Sequence, residues 1–299
     1  MKQDVSFLSA GLNLAACLYT PKRPNGRTII VGHPGSSVKE QSPALYAGKL
    51  CERGFRVLTF DAAHQGASEG LPRGLENPAK RVEDFKAAVS WLQTCPEVDP
   101  ARIGGLGICA SGGYIIQAAA GDTRISAVAT VAAVDVGRQV RVGANGAQDP
   151  ALLQALLDGA AQARSEAAVT GKIEGFPIFP ADEASARAGD LHLFEGWEYY
   201  CTPRGAHPRA AKALTWDSID RMATFDAFRF IAMIAPRPLL MITADKAVTA
   251  WMTHDAYERA QQPKSLHIIE GATHVGLYDR EDAVNDAVGR LSDFYTDVL

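Results

Sequence analysis

Cys109 sits in Gly107-Ile108-Cys109-Ala110-Ser111-Gly112-Gly113, between an apolar run from Arg102 to Leu106 and a helix-forming run from Tyr114 to Ala120. A Gly-x-nucleophile-x-small-Gly pattern between strand and helix predicts a strained turn that lifts a reactive side chain above a sheet edge. There the free amides and the positive end of the helix favour an anion. The expected chemistry is nucleophilic attack by a thiol of lowered pKa. The bland alternative is a buried structural cysteine in a Gly-rich turn. Ser111 is a rival nucleophile, but it falls two residues too late relative to the strand.

The general base should follow the nucleophile and an acid in chain order. His274, in Gly271-Ala272-Thr273-His274-Val275-Gly276, follows the last predicted strand and fills that place. The other six histidines lack this placement and form no metal-ligand spacing. Asp245, ending the strand from Leu239 to Thr243, is the expected acid that orients the imidazole, with Asp135 as the alternative. Asp61 reads as structural, bonding turn amides. An oxyanion site requires the amide after the nucleophile and one from an early strand-helix loop. Those are Ala110 and, in His33-Pro34-Gly35, Gly35, with Ser36 in reserve because Pro34 has no N–H.

Around these residues, Val5 to Leu18 alternates about Ala10-Gly11 as an antiparallel hairpin. Strands at Thr28 to Val31, Phe55 to Phe60, Ile103 to Leu106 and Ile125 to Val134 then alternate with helices, which predicts a mostly parallel sheet covered on both faces. From Gly137 to Ile234 the pattern is helical with no convincing strand. It includes helices over Pro150 to Ala168 and Ser218 to Ile231. Strand-helix order resumes at Pro238. The expected division is therefore a core of 1–136 and 235–299 and a mostly helical cap of 137–234. In the cap, Trp197, Tyr199 and Tyr200 either shape an apolar substrate pocket, together with His33 of the core, or fill cap core.

A chain of 299 residues with 47% hydrophobic content can bury a large core, and a formal net charge of −4 carries no footprint for nucleic acid. No apolar stretch is long enough for a membrane span, and the first residues suggest no signal peptide. The five cysteines are irregularly spaced, which fits free thiols in a reducing compartment, hence the cytoplasm.

Gly32-His33-Pro34-Gly35, Phe60-Asp61-Ala62-Ala63-His64-Gln65-Gly66, the stretch from Gly107 to Tyr114, Val134-Asp135-Val136-Gly137, Thr224-Phe225-Asp226 and Pro236-Arg237-Pro238 resemble the YcjY-like α/β-hydrolases. The resemblance spans almost the whole chain. More distantly, the elbow is similar to that of dienelactone hydrolase, which uses a Cys-Asp-His triad. The resemblance implies an α/β-hydrolase fold with a cap and hydrolysis of an ester, lactone or thioester through an acyl-cysteine. It implies no cofactor or metal, and a small-molecule acyl substrate rather than nucleic acid or membrane. Transfer of the acyl group to another acceptor is the alternative, a non-catalytic ligand receptor is the third reading, and a homodimer is left open. The chain departs from its relatives at Val248, where they often carry an aspartate, with Asp245 slightly early. It also has His33 where dienelactone hydrolase has a glutamate that holds its thiol at rest.

Overall fold

The computed structural model describes residues 1–299. Lys2–Ser9 (β1) and Leu12–Tyr19 (β2) form the predicted hairpin. Thr28–Gly32 (β3), Ser42–Glu52 (α1), Arg56–Phe60 (β4), Pro78–Leu92 (α2), Ile103–Ile108 (β5), Ala110–Gly121 (α3) and Ala127–Val131 (β6) follow in strand-helix alternation. The chain then leaves the sheet through Val136–Val142 (α4), Pro150–Thr170 (α5), Gly175–Pro177 (β7), Glu183–Arg187 (α6), Leu191–Cys201 (α7), Ala213–Thr215 (β8), Asp217–Ala223 (α8) and a 3-10 turn at Ile231–Ile234. It returns as Leu239–Ala244 (β9), Ala250–Arg259 (α9), Lys264–Ile269 (β10), Gly276–Asp279 (α10) and Glu281–Val298 (α11).

Eight strands make one sheet in the order β1-β2-β4-β3-β5-β6-β9-β10. The hairpin joins β4 antiparallel, and every pairing from β4 to β10 is parallel. With both faces covered, β3, β4, β5, β6 and β9 are buried along their whole lengths, which is why they read as continuous apolar runs. Successive side chains still divide between the faces. Ile30 of β3 belongs to the core under α2 and α3, with Phe85, Val89 and Ile115. Ile29 and Val31 belong to the opposite core under α1 and α11, with Tyr46, Leu50 and Leu291. The loops after β3, β5, β9 and β10 all emerge at the carboxyl ends of parallel strands, where open α/β sheets bind ligands.

Two local expectations need correction. The segment between β6 and β9 contains strands: β7 and β8 pair antiparallel, three residues each, too short for alternation to show in sequence. The helix expected over Ser218 to Ile231 stops at Ala223. Arg141 donates to the carbonyls of Ala223 and Phe225 (2.7 and 2.8 Å), and Asp135 accepts from the amide of Ala227 (3.2 Å). Backbone groups committed to those partners cannot continue the helical ladder. No helix is long and apolar enough to cross a membrane.

Candidate active site

β5 runs straight into α3, and Cys109 is the hinge between them, with φ 55° and ψ −119°. A side chain in this region costs about 1–3 kcal/mol and persists only where its surroundings enforce it. The enforcement is close packing. A Cβ on Gly107 would lie 2.1 Å from the carbonyl oxygen of Ser111, and one on Gly113 would lie 2.6 Å from that of Val134. The Cys109 amide donates to Val131, while the amides of Gly112 and Val134 donate to the Cys109 carbonyl (2.9, 2.8 and 3.0 Å). The turn therefore has one conformation, with the sulfur facing a cavity.

Ser111 points the other way. It is buried, and its hydroxyl donates to the His33 carbonyl at 2.6 Å. Beneath the elbow, Arg81 donates to the same carbonyl (2.8 Å), to Nε2 of His33 (2.8 Å) and to Ser111 (3.3 Å), and its Nε lies 3.3 Å from Glu76. The Tyr114 hydroxyl donates to Glu76 at 2.6 Å. This buried ion pair has its polar atoms occupied, the condition under which such a pair is tolerated. It braces the elbow on the loop after β3. His33 is thus spoken for: burial and the Arg81 charge hold its pKa well below the usual histidine value.

The amides of Ala110 and Gly35 and the side chain of Tyr278 neighbour the Cys109 sulfur and favour its anion. These are the two amides the sequence nominates, and both residues line the cavity. Even so, burial outweighs them and pushes the thiol pKa up, with the Arg81 charge only a minor opposing influence. The lowered pKa expected from the helix terminus is therefore wrong for this site: taking the sulfur out of water costs the thiolate more than the amides return.

His274 lines the same cavity and is 2% exposed. Its Nδ1 shares a 2.6 Å hydrogen bond with the hydroxyl of Thr249, and its Nε2 shares one of 2.9 Å with the hydroxyl of Tyr278. No hydrogen bond joins it directly to Cys109. The ring of His192, on α7, meets His274 edge-on at 5.0 Å between centroids. Burial first, then the charge of His192, holds the His274 pKa well below the usual value. The resting pair is a thiol and a neutral imidazole.

Neither expected acid reaches that imidazole. Asp245 is exposed and accepts the Gly271 amide at 2.7 Å. Asp135 caps α4, accepting the amides of Gly137 (2.8 Å) and Arg138 (3.2 Å) as well as Ala227. Each carboxylate is turned to backbone amides, Asp245 to the loop after β10 and Asp135 to its own helix start and to Ala227. The partner is Thr249, fully buried at the start of α9 and one residue past Val248. Asp61 has the structural role expected, accepting the amides of Lys39 (2.7 Å) and Ala67 (2.8 Å).

The cavity measures about 680 Å3. Val134 and Val136 line it from the core, with Leu152, Leu156, Phe176 and Phe179 from the segment between β6 and β9. Of the expected pocket residues, Tyr200 lines it and three do not. His33 is buried below the elbow, Trp197 stacks on Phe194 at 6.4 Å, and Tyr199 is core, its hydroxyl accepting the Ser42 amide at 3.1 Å. Glu76 and Asp190 border the cavity, and no lysine or arginine does.

Several contacts fasten this roof to the core. The Ala211 amide donates to the Ser36 carbonyl (2.9 Å), Gln41 to the Gly205 carbonyl (2.7 Å), and Thr273 to Glu195 (2.9 Å). Arg204 grips Asp279 with two bonds of 2.8 and 2.7 Å.

With known proteins the likeness is extensive. Residues 29–287 match the model of the alpha/beta hydrolase family. The chain is 36% identical to YcjY of Escherichia coli K12, covering 100% of both. The crystal structure of PA2218 from Pseudomonas aeruginosa matches at TM-score 0.93 and 35% identity, covering 100% of this chain and 94% of that one. The thiohydrolase aneE of Aspergillus aculeatus is 36% identical over 43% of this chain and 40% of its own. The structure of GrgF from a Penicillium species shares the fold at TM-score 0.84 and 22% identity, covering 100% of this chain and 99% of that one. The Penicillium polyketide transferase grgF is 25% identical over 92% of this chain and 90% of its own.

Proposed function

The chain belongs to the alpha/beta hydrolase family, and from that premise we propose that it cleaves an ester, lactone or thioester through an acyl-cysteine on Cys109. The observation that supports this reading is that Cys109, at the strained turn between β5 and α3, lines one cavity with Gly35, Ala110 and His274. The sulfur attacks the acyl carbonyl, and the Ala110 and Gly35 amides receive the charge that develops on oxygen. His274 takes the thiol proton, returns it to the leaving group, and then activates the water that releases the acid. Thr249 holds the imidazole in place of a carboxylate. Without that charge nearby, an ion pair of thiolate and imidazolium is not populated at rest, and the proton leaves sulfur as the bond to carbon forms.

The substrate we propose is small, with a neutral, largely apolar acyl group. A cavity of this volume suits a drug-sized molecule. Its apolar wall, two acidic residues and lack of a cation disfavour a carboxylate-bearing acyl chain, because a buried unpaired charge is expensive. Acyl transfer is the second reading, favoured by the apolar chamber, which keeps water scarce around an acyl-enzyme, and by the likeness to a polyketide transferase. The free thiols at Cys17, Cys51, Cys95 and Cys201 suit a reducing compartment, and we place the protein in the cytoplasm.

Intact-mass spectrometry after mixing with short-chain esters, lactones and thioesters tests the reading. An acyl adduct mapping to Cys109 and absent in Cys109→Ala is expected. Undiminished turnover by Cys109→Ala would overturn it. Faster product formation when alcohols or amines are added would assign acyl transfer.

A further inference from the structure

We propose that Tyr278 is a proton relay between Cys109 and His274, so that the base deprotonates the thiol through a phenol rather than directly. The proposal rests on Cys109 being the nucleophile and adds a catalytic residue to that site. Its basis is an arrangement of three side chains. The Tyr278 hydroxyl lies 2.9 Å from Nε2 of His274, and Tyr278 is the side chain that acts most strongly on the Cys109 sulfur, whereas His274 makes no hydrogen bond to it. All three line one cavity, and Tyr278, in α10, follows His274 by four residues, so the short segment after β10 carries imidazole and phenol together.

The surroundings hold the phenol in place. Its ring packs edge-on against Tyr199 at 5.3 Å and against His274 at 5.4 Å between centroids. Tyr200 and Tyr199 are its other titratable neighbours, and burial keeps all three phenols protonated. Tyr278 is thus a neutral group that can accept one proton while giving up another. The relay takes the tautomer in which Nδ1–H donates to Thr249, which leaves Nε2 a lone pair for the Tyr278 proton.

The step balances as follows. The sulfur's electron pair forms the bond to the acyl carbon, and the carbonyl π pair moves onto oxygen. The thiol proton passes to the Tyr278 oxygen as the phenolic proton passes to Nε2. Tyr278 ends neutral, and the imidazolium holds the one proton that sulfur lost. Collapse of the adduct expels the leaving group, and Nε2 gives up that proton to it. No phenolate accumulates, and no other reactant is required.

Turnover of p-nitrophenyl hexanoate and iodoacetamide labelling of Cys109, each in H2O/D2O mixtures, test the relay. In the wild type a bowed dependence on deuterium fraction is expected, the mark of two protons in flight. Tyr278→Phe keeps the ring and loses the hydroxyl. Its kcat/KM should fall 100-fold or more with KM little changed, labelling at pH 7 should slow at least tenfold, and the deuterium dependence should become linear. A linear dependence in the wild type, or Tyr278→Phe within threefold of it while Cys109→Ala is dead, overturns the relay and leaves the nucleophile standing. Loss of activity in Tyr278→Phe with an unaltered deuterium dependence marks a merely structural hydroxyl and also overturns it. An active Cys109→Ala removes both readings.

Discussion

Replacing Thr249 with aspartate puts a carboxylate where a hydroxyl now lies 2.6 Å from Nδ1 of His274, with both residues buried. Unit charges about 4 Å apart interact by about 4 kcal/mol at an effective dielectric of about 20. At about 1.4 kcal/mol per unit, this would raise the imidazole pKa by about 3 units. Burying the new carboxylate without other partners offsets part of the gain, leaving a net rise of about 1–2 units. The variant should therefore tolerate an imidazolium beside the sulfur. Cys109 should react with iodoacetamide about tenfold faster at pH 7, and the labelling profile should shift toward acid. Thr249→Val, which removes one neutral hydrogen bond worth about 0.5–1.5 kcal/mol, should lower kcat/KM about 3- to 10-fold. The assay is the pH dependence of Cys109 labelling, followed by mass, beside ester turnover. If both variants overlay the wild type from pH 5 to 9, Thr249 does not govern the imidazole and the reasoning fails.

Three further outcomes are expected. Among p-nitrophenyl esters of equal chain length, one with a terminal carboxylate on the acyl chain should show kcat/KM at least 100-fold below its neutral counterpart, and equal rates would contradict the proposed pocket. Gly107→Ala should cost about 3 kcal/mol or more and abolish Cys109 labelling, because the added carbon meets backbone at 2.1 Å. Gly48→Ala, in α1 with nothing within 4 Å, should raise stability by up to about 1 kcal/mol; denaturant melts read both. Asp84 is buried, and desolvation lifts its pKa from 3.8 to about 6 despite bonds from Ser9 and the Ala63 amide. The folded state thus holds a proton that the unfolded chain has lost between those values. The stabilisation, about 3 kcal/mol, is complete below 3.8 and disappears as pH rises through 6. Because the buried His33 and His274 push total stability the other way over this range, the readout is a difference: wild-type stability minus that of Asp84→Asn should fall from pH 4 to 7.

The elbow is legible in sequence because its constraint is local: glycines, a nucleophile and flanking apolar runs within a dozen residues. His274 is legible through chain order. The third partner is not, because a carboxylate at a strand end advertises itself by type, whereas its direction is decided by the loop. Asp245 and Asp135 both turn to nearby amides, and a threonine hydroxyl carries no charge to mark it. Val248, where the chain departs from its relatives, lies one residue before Thr249, whose hydroxyl bonds the imidazole. Tyr278 had a readable signal, four residues beyond the base, but the four-residue α10 is too short to declare itself as a helix. The thiol's acidity is not legible for another reason: helix-end amides are visible in a sequence, and burial depth is not.

The roof is tied down at the very loops that carry the reacting groups. Its fasteners land on Ser36 and Gln41, beside the Gly35 amide, and on Thr273 and Asp279, which flank His274 and Tyr278. A lid hinged on a distant linker can swing without disturbing what lies beneath. Here, any movement of the roof would pull on the loop that holds Gly35 from one side and on the turn that holds His274 and Tyr278 from the other. Under the proposed function, admission of a substrate and the geometry of the reacting groups would therefore be coupled.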